Sequence, residues 1–506
     1  ADSAGTALVE LGADAHGQDK VHHDTPLIRA VRIGDTDAAN FIMAKTNADP
    51  NTETETVGET ALIVACRNVD ARMVELLLRS GANAAQKSSI TRLSPFESLC
   101  SADSTTKEKQ KEDIINMFFV NGDVDANAAD KETLETPLMV AARCGDAVSV
   151  ECLVRFANAD VNDERSGRTA LIRACGCGDI AAPAVEMLLN LGADATLDVT
   201  LVSDEKKQEE NVGDTCVHSA VRAKSNAKLF ITLAKILGEG ILDIEATSED
   251  GLTPLQLAAS LGKFDAMSNL VKAGAQVNAE SRANNNTALT YCAKTNNVSS
   301  MIHLVKKCGA TVDFETSLHE TALMAALKCK NWKKAVDALL NEINASATIE
   351  TSLGDSAITV AFEADDEDKI LKILRDGKVD VTKNPFTQFG DSLFGMCARR
   401  NCAVAISAIS KHRDTEFMNI DTNLEDYVSG NTALCLAAAL GHDKVVHALI
   451  VDASADASFA PKGNGGVDPL CDACAACPIE NLLQVLKILI VNGKVNGSNS
   501  TTEAGW

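Results

Sequence analysis

An all-α solenoid of stacked helical hairpins is the fold this sequence predicts, and three observations carry the prediction. A seven-residue phrase, Thr/Ser-(Pro/Ala)-Leu-x-x-Ala-Ala or a variant of it, recurs thirteen times between Thr25 and the worn copy DPLCDAC at Asp468. Most copies are followed about ten residues later by an apolar segment ending in Gly-Ala-Asp/Asn, such as VELLLRSGAN (74–83) and VEMLLNLGAD (185–194). Aromatic residues are only 4% of a chain that is 45% hydrophobic, so Ala, Leu, Val and Ile must build the core.

The phrases begin at Thr25, Thr60, Ser94, Thr136, Thr169, Thr215, Thr253, Thr287, Thr321, Ser356, Ser392, Thr432 and Asp468. Thr or Ser at the start can cap a helix, and Pro at the next position suits a first turn. The Ala pair lets this first helix lie close to its neighbours. The second helix carries Leu, Ile and Val at helical spacing and stops at Gly, the usual C-terminal breaker. An Asp/Asn/Thr-rich segment then turns outward as a finger. Each unit is too small to bury its own apolar face, so neighbours must stack.

Thirteen such phrases in register resemble the ankyrin repeat, and the resemblance covers essentially the whole chain. The mean interval is about 37 residues, against ~33 in that family. The implied architecture is an ankyrin-repeat solenoid, curved and elongated, with protruding β-hairpin or loop fingers. It would form one continuous domain over 1–506, with a partial first repeat at 1–20. Longer loops are expected near 101–113, 198–213 and 412–430; STTKEKQKEDI (104–114) should swell the loop between two helices. The histidine that the family often carries after Thr-Pro-Leu survives only as His218. TALVELGADAH (6–16) reads as the second helix of a repeat lacking its first, and NGKVNGSNSTTEAGW (492–506) shows no capping helix.

Charge narrows the function. Lys+Arg 47 against Asp+Glu 71 gives −24, which argues against nucleic acid, whose affinity comes from clustered Lys and Arg. No apolar run approaches the ~18–20 residues that cross a bilayer. No phosphate loop, GxSxG elbow or HExxH motif is present, so a non-catalytic protein without cofactor is expected.

Sixteen cysteines include the run Cys471, Cys474, Cys477. Cys66, Cys100, Cys175 and Cys474 occupy the second Ala position of their phrases, and Cys292 and Cys397 the first. Those are packing positions, where free Cys acts as a small hydrophobe, so no metal site is expected. His22, His23 and Asp24, adjacent in a turn, would not aim at one ion either. Unpaired thiols suit an intracellular, cytoplasmic setting, with a removed targeting peptide left open because the chain begins at Ala1.

Two charge patterns remain. The position after the Ala pair is basic in seven phrases: Arg32, Arg67, Arg143, Arg222, Lys294, Lys328 and Arg399. The resemblance places this row toward a concave face, either as an acidic-ligand track or as an ordinary feature of the family. The finger segments are acidic, with Glu53, Glu55, Glu164, Glu249, Glu315 and Glu425 as candidate contacts. The resemblance also implies hydroxylatable finger asparagines at Asn51, Asn127, Asn162 and Asn278. The expected function is a protein–protein scaffold whose acidic fingers speed encounter with a basic partner. The alternatives are head-to-tail self-assembly into a filament through uncapped ends, and the recognition portion of a longer multidomain protein.

Overall fold

The structure is a computed structural model. It describes residues 17–492 apart from 19–22, 47, 103–106, 121–123, 200–212, 225–226, 238–242, 365, 381–386, 388–389, 413–419, 428, 463–464 and 466. The expected N-terminal helix at 6–16 and nearly all of the 492–506 tail therefore lie outside the described residues.

Every one of the thirteen phrases opens a helix, from Pro26–Ile33 and Ala61–Arg67 to Ala433–Leu440 and Pro469–Ala476. The phrase start caps it. Thr25, Thr60, Thr136, Thr169, Thr321 and Thr432 each accept a hydrogen bond through Oγ1 from the backbone N–H three residues on. Ser94, Ser392 and Asp468 do the same with their own oxygens. Satisfying one orphan donor in this way contributes about 1 kcal/mol per cap. At Thr215 the cap is doubled by buried His218: the Thr215 N–H donates to Nδ1 at 3.3 Å, which leaves Nε2–H to donate to the Leu252 carbonyl at 2.9 Å. Burial holds the His218 pKa below the usual imidazole range, so the ring serves as a neutral clasp.

Several first helices are buried nearly all round. Ala61 to Cys66 are each no more than 1% exposed, and only small or slender side chains permit that closeness on both flanks. Second helices are amphipathic: Ala71–Arg79 buries Met73, Val74 and Leu77 and leaves the rest half-buried or exposed. Each such fully buried large apolar side chain contributes about 1.5–3 kcal/mol. The chain divides into two compact units, 1–258 with 265–276, and 259–264 with 277–506. Within the first, Ala170–Cys177 packs between Pro137–Cys144 and Cys216–Arg222; within the second, Ala433–Leu440 packs between Leu393–Arg399 and Pro469–Ala476. The fingers are turns and loops. Among the described residues, β pairing is limited to the isolated bridges Asp198–Thr215 and Glu425–Thr432.

Two details differ from the expectation. Glu108–Ile115, inside the supposed loop, is the second helix of the Ser94 repeat, and Asn116–Val120 continues it as a π turn. Lys111 takes an apolar slot beside Ile114, Ile115 and Phe118, only 2% exposed, because its ammonium reaches Asp146 at 2.8 Å. Cys474 is exposed rather than packed. The 198–213 insertion falls almost wholly outside the described residues, and of 412–430 residues 413–419 and 428 do. No helix among the described residues is long and apolar enough to cross a membrane.

Candidate partner-binding surface

The seven cations after the Ala pair do not stand alone. Each reaches back toward the residue just ahead of its own phrase, eight positions upstream. In the first unit Arg32 meets Asp24 at 2.8 Å, Arg222 meets Asp214 at 2.7 Å, and Arg67 grips Glu59. Arg143 lies 3.7 Å from Glu135 and also holds Glu97 of the preceding repeat. In the second unit Lys328 meets Glu320 at 2.5 Å, Lys294 donates to Asn286 at 2.8 Å, and Arg399 clasps Asp391 and, at 3.0 Å, Asp426.

The acids are the deeper partners. Asp24, Glu59, Asp214, Asp391 and Asp426 are buried, whereas the guanidinium side chains that meet them keep about a third of their surface or more in water, Arg222 least at 30%. A buried carboxylate without a counter-charge would be costly, so the row of cations answers a need inside the fold. Glu320 shows the balance: burial pushes its carboxyl up, yet Lys328 and Lys294 win and hold it below the usual range.

The finger glutamates behave differently. Glu53 accepts from Gln86 Nε2 and the Ser89 amide, both at 3.2 Å. Glu315 accepts from the Ser352 amide at 3.0 Å and its hydroxyl at 2.7 Å, with His319 Nδ1 2.9 Å away. Glu425 accepts from the Lys462 amide at 2.9 Å. Amides and hydroxyls orient a carboxylate without cancelling its charge. For Glu53, burial raises the carboxyl pKa, but the bonds from Ser89 and Gln86 outweigh it and keep it low; for Glu315, Ser352 is the chief cause of the same lowering. Glu55 is exposed, 3.5 Å from His23. Glu164 and Glu249 are exposed, and among the described residues neither meets a cation.

Sequence reading missed the carboxamide staples one step away. Asn51 Oδ1 accepts from the Asn83 amide at 2.7 Å, Asn127 from Asp160 at 2.8 Å, Asn162 from Asp194 at 2.8 Å, Asn278 from Thr311 at 3.0 Å and Asn423 from Asp456 at 3.0 Å. Glu245 and Asp313 fill the same slot with carboxylates, taking the amides of Gln276 at 2.7 Å and Ser346 at 3.0 Å. The signal was there: an Asn recurs at one register position of successive fingers.

Burial pushes the thiols of Cys152, Cys292 and Cys435 up to about 12, the opposite of an activated nucleophile. Among the described residues no three His, Cys, Asp or Glu side chains gather as a metal site, the Cys471–Cys477 run included.

Comparison with known families settles the architecture. A family model for three copies of ankyrin repeats matches residues 3–88, 105–198 and 217–316, more than half of the chain, and a single ankyrin-repeat model matches 429–459. The chain belongs to the ankyrin-repeat family. Among its ankyrin-bearing relatives, human neurogenic locus notch homolog protein 1 is 29% identical over 223 residues, 40% of this chain and 8% of that protein. The mouse protein of the same name is 30% identical over 220 residues, again 40% and 8%. Human neurogenic locus notch homolog protein 2 is 28% identical over 173 residues, 34% and 6%. The chain thus matches under a tenth of the length of these relatives. Ankyrin repeats are protein–protein interaction modules, and this array is one.

Proposed function

We propose that the array binds a basic protein surface through its carboxylate-bearing fingers. One observation carries the reading: cations of the first-helix row such as Arg67 and Arg222 are matched by buried acids, while finger glutamates such as Glu53 and Glu315 are held by neutral donors. The excess negative charge of the chain therefore has an outlet at the fingers. A row of oriented carboxylates accelerates encounter with a basic partner and fixes its register. Non-catalytic scaffolding of this kind needs no cofactor.

The test is binding of a fluorescent lysine-rich peptide to the full chain across a salt series. Affinity should fall steeply with ionic strength and fall again in a Glu164→Gln/Glu249→Gln/Glu315→Gln variant. Salt-independent binding, or an effect confined to Arg67 and Arg143 substitutions, would sink the reading.

A second reading, end-to-end self-assembly, draws on the helix Ile479–Val491. Ile479, Leu483 and Ile490 lie on one stripe of it and are 89%, 66% and 49% exposed. Light scattering over a hundredfold concentration range decides this: a constant mass near that of one chain removes it, and a rising mass that Leu483→Glu abolishes supports it.

A further inference from the structure

Two neighbouring fingers of the second unit carry the same tip. Thr316-Ser317-Leu318-His319-Glu320 and Thr351-Ser352-Leu353-Gly354-Asp355 close identical turns. In each, the first Thr amide donates to the acid carbonyl at the end, Glu320 at 3.0 Å and Asp355 at 2.7 Å. The fourth residue donates back to the Thr carbonyl at 2.8 Å and takes a left-handed backbone, φ 57° at His319 and 83° at Gly354. This turn throws the third residue outward, and it is leucine both times, 47% exposed at Leu318 and 61% at Leu353. Glu315 bridges the pair, since it belongs to the first finger and accepts from Ser352 of the second.

Charge around these leucines is one-sided. Residues 311–320 and 346–355 contain five carboxylates and no Lys or Arg. Glu320 and Asp355 are met from the ends of first helices by Lys328 and Arg400, whereas Glu315, between the tips, has amide, hydroxyl and imidazole neighbours. The construction recurs in the first unit, where Val57 and Ile90 are exposed on adjacent fingers and Glu53 of one finger takes the Ser89 amide of the next. There, however, Arg92 stands two residues from Ile90. Apolar tips at successive repeats, set in an acidic field, match the anatomy of an interface with apolar anchors inside a polar rim.

We propose that Leu318, Glu315 and Leu353 form the principal docking point for a basic protein segment that carries two apolar side chains, one for each leucine tip. The proposal rests on the acidic-finger reading and gives it an anchor. Neighbouring helical units pack ~10 Å apart, and an extended polyproline-type segment advances ~3.1 Å per residue, so the two side chains belong three residues apart. The cations between and beside them face Glu315.

The experiment uses the full chain and two labelled twelve-residue probes followed by fluorescence anisotropy at neutral pH. One is lysine-rich with two leucines three residues apart, and the other replaces those leucines by serine. The expected result is that the leucine probe binds the natural chain about tenfold more tightly than the serine probe, and that Leu318→Ser/Leu353→Ser erases that difference without weakening the serine probe. Glu315→Gln should weaken both probes. Should the double variant melt at a lower temperature than the natural chain, Leu353→Ser alone replaces it, with about a threefold loss expected. Equal, salt-sensitive binding of both probes overturns the leucine anchor and leaves the acidic fingers standing; no binding of either probe overturns both.

Discussion

The first-helix row and the finger edge offer two treatments of charge within one repeat. In the row, an acid buried ahead of a phrase is answered, where the row is basic, by a side chain eight residues on, as Asp24 is by Arg32 and Asp214 by Arg222. At the fingers, carboxylates and carboxamides accept from backbone amides of the next repeat, as Glu53 does from Ser89 and Asn127 from Asp160. The first arrangement neutralises and the second only orients. A row of like residues at repeat spacing is therefore no guide to a binding track until its partners are known, because Arg67 and Glu315 are equally periodic and opposite in what they leave for a partner.

The sharpest test of neutralisation is a deeper pair outside the row, between second helices. Asp146→Ala would strand the Lys111 ammonium, 3% exposed, and should cost about 3–5 kcal/mol in urea denaturation. A Lys111→Met/Asp146→Asn double variant should recover most of that, since it removes both charges and keeps a hydrogen-bond acceptor for the Ser149 amide. Next in size, Glu59→Gln weakens the hold on half-exposed Arg67 and should cost about 1 kcal/mol. Its affinity for a lysine-rich peptide should stay within about twofold, because the row is distant in role from the fingers.

On the orienting side, Asn127→Ala removes its bonds to Asp160 and Asn158 and should cost about 1 kcal/mol. Asp313 tests the sign. Burial raises its carboxyl pKa, and the Ser346 amide only partly offsets this. A raised acid favours the folded state while protonated, so its contribution is lost as pH rises through the folded pKa. Asp313→Asn should make the second unit about 0.5–1 kcal/mol more stable at neutral pH and flatten its thermal-melt dependence on acidification. The smallest effect on stability is expected at Glu164→Gln, within about 0.5 kcal/mol, with its consequence read instead in a slower association rate with the peptide.

Much of the fold was legible because its determinants are local. Threonine, proline and the Ala pair sit within one phrase, and each phrase opened a helix. Helix Glu108–Ile115 was read as a charged loop because Lys111 occupies the apolar register shared by Ile114, Ile115 and Phe118; its partner Asp146 lies in the next repeat. The candidate surface was half legible. Its cations were visible, but their pairing to acids eight residues upstream depends on long side chains leaning toward the N-terminus of a helix. Cys474 looked like a packing residue by register, and register alone does not supply the neighbour that would cover it.

Within each unit, every clasp of the kind Asn127–Asp160 or Arg143–Glu97 joins a repeat to the one beside it and reaches no further. Loss or duplication of a whole repeat would therefore bring together two surfaces that already carry matching donors and acceptors. Growth of the gene by copying one segment needs no simultaneous change elsewhere, and a partner that outgrows the present fingers can be followed by lengthening the row.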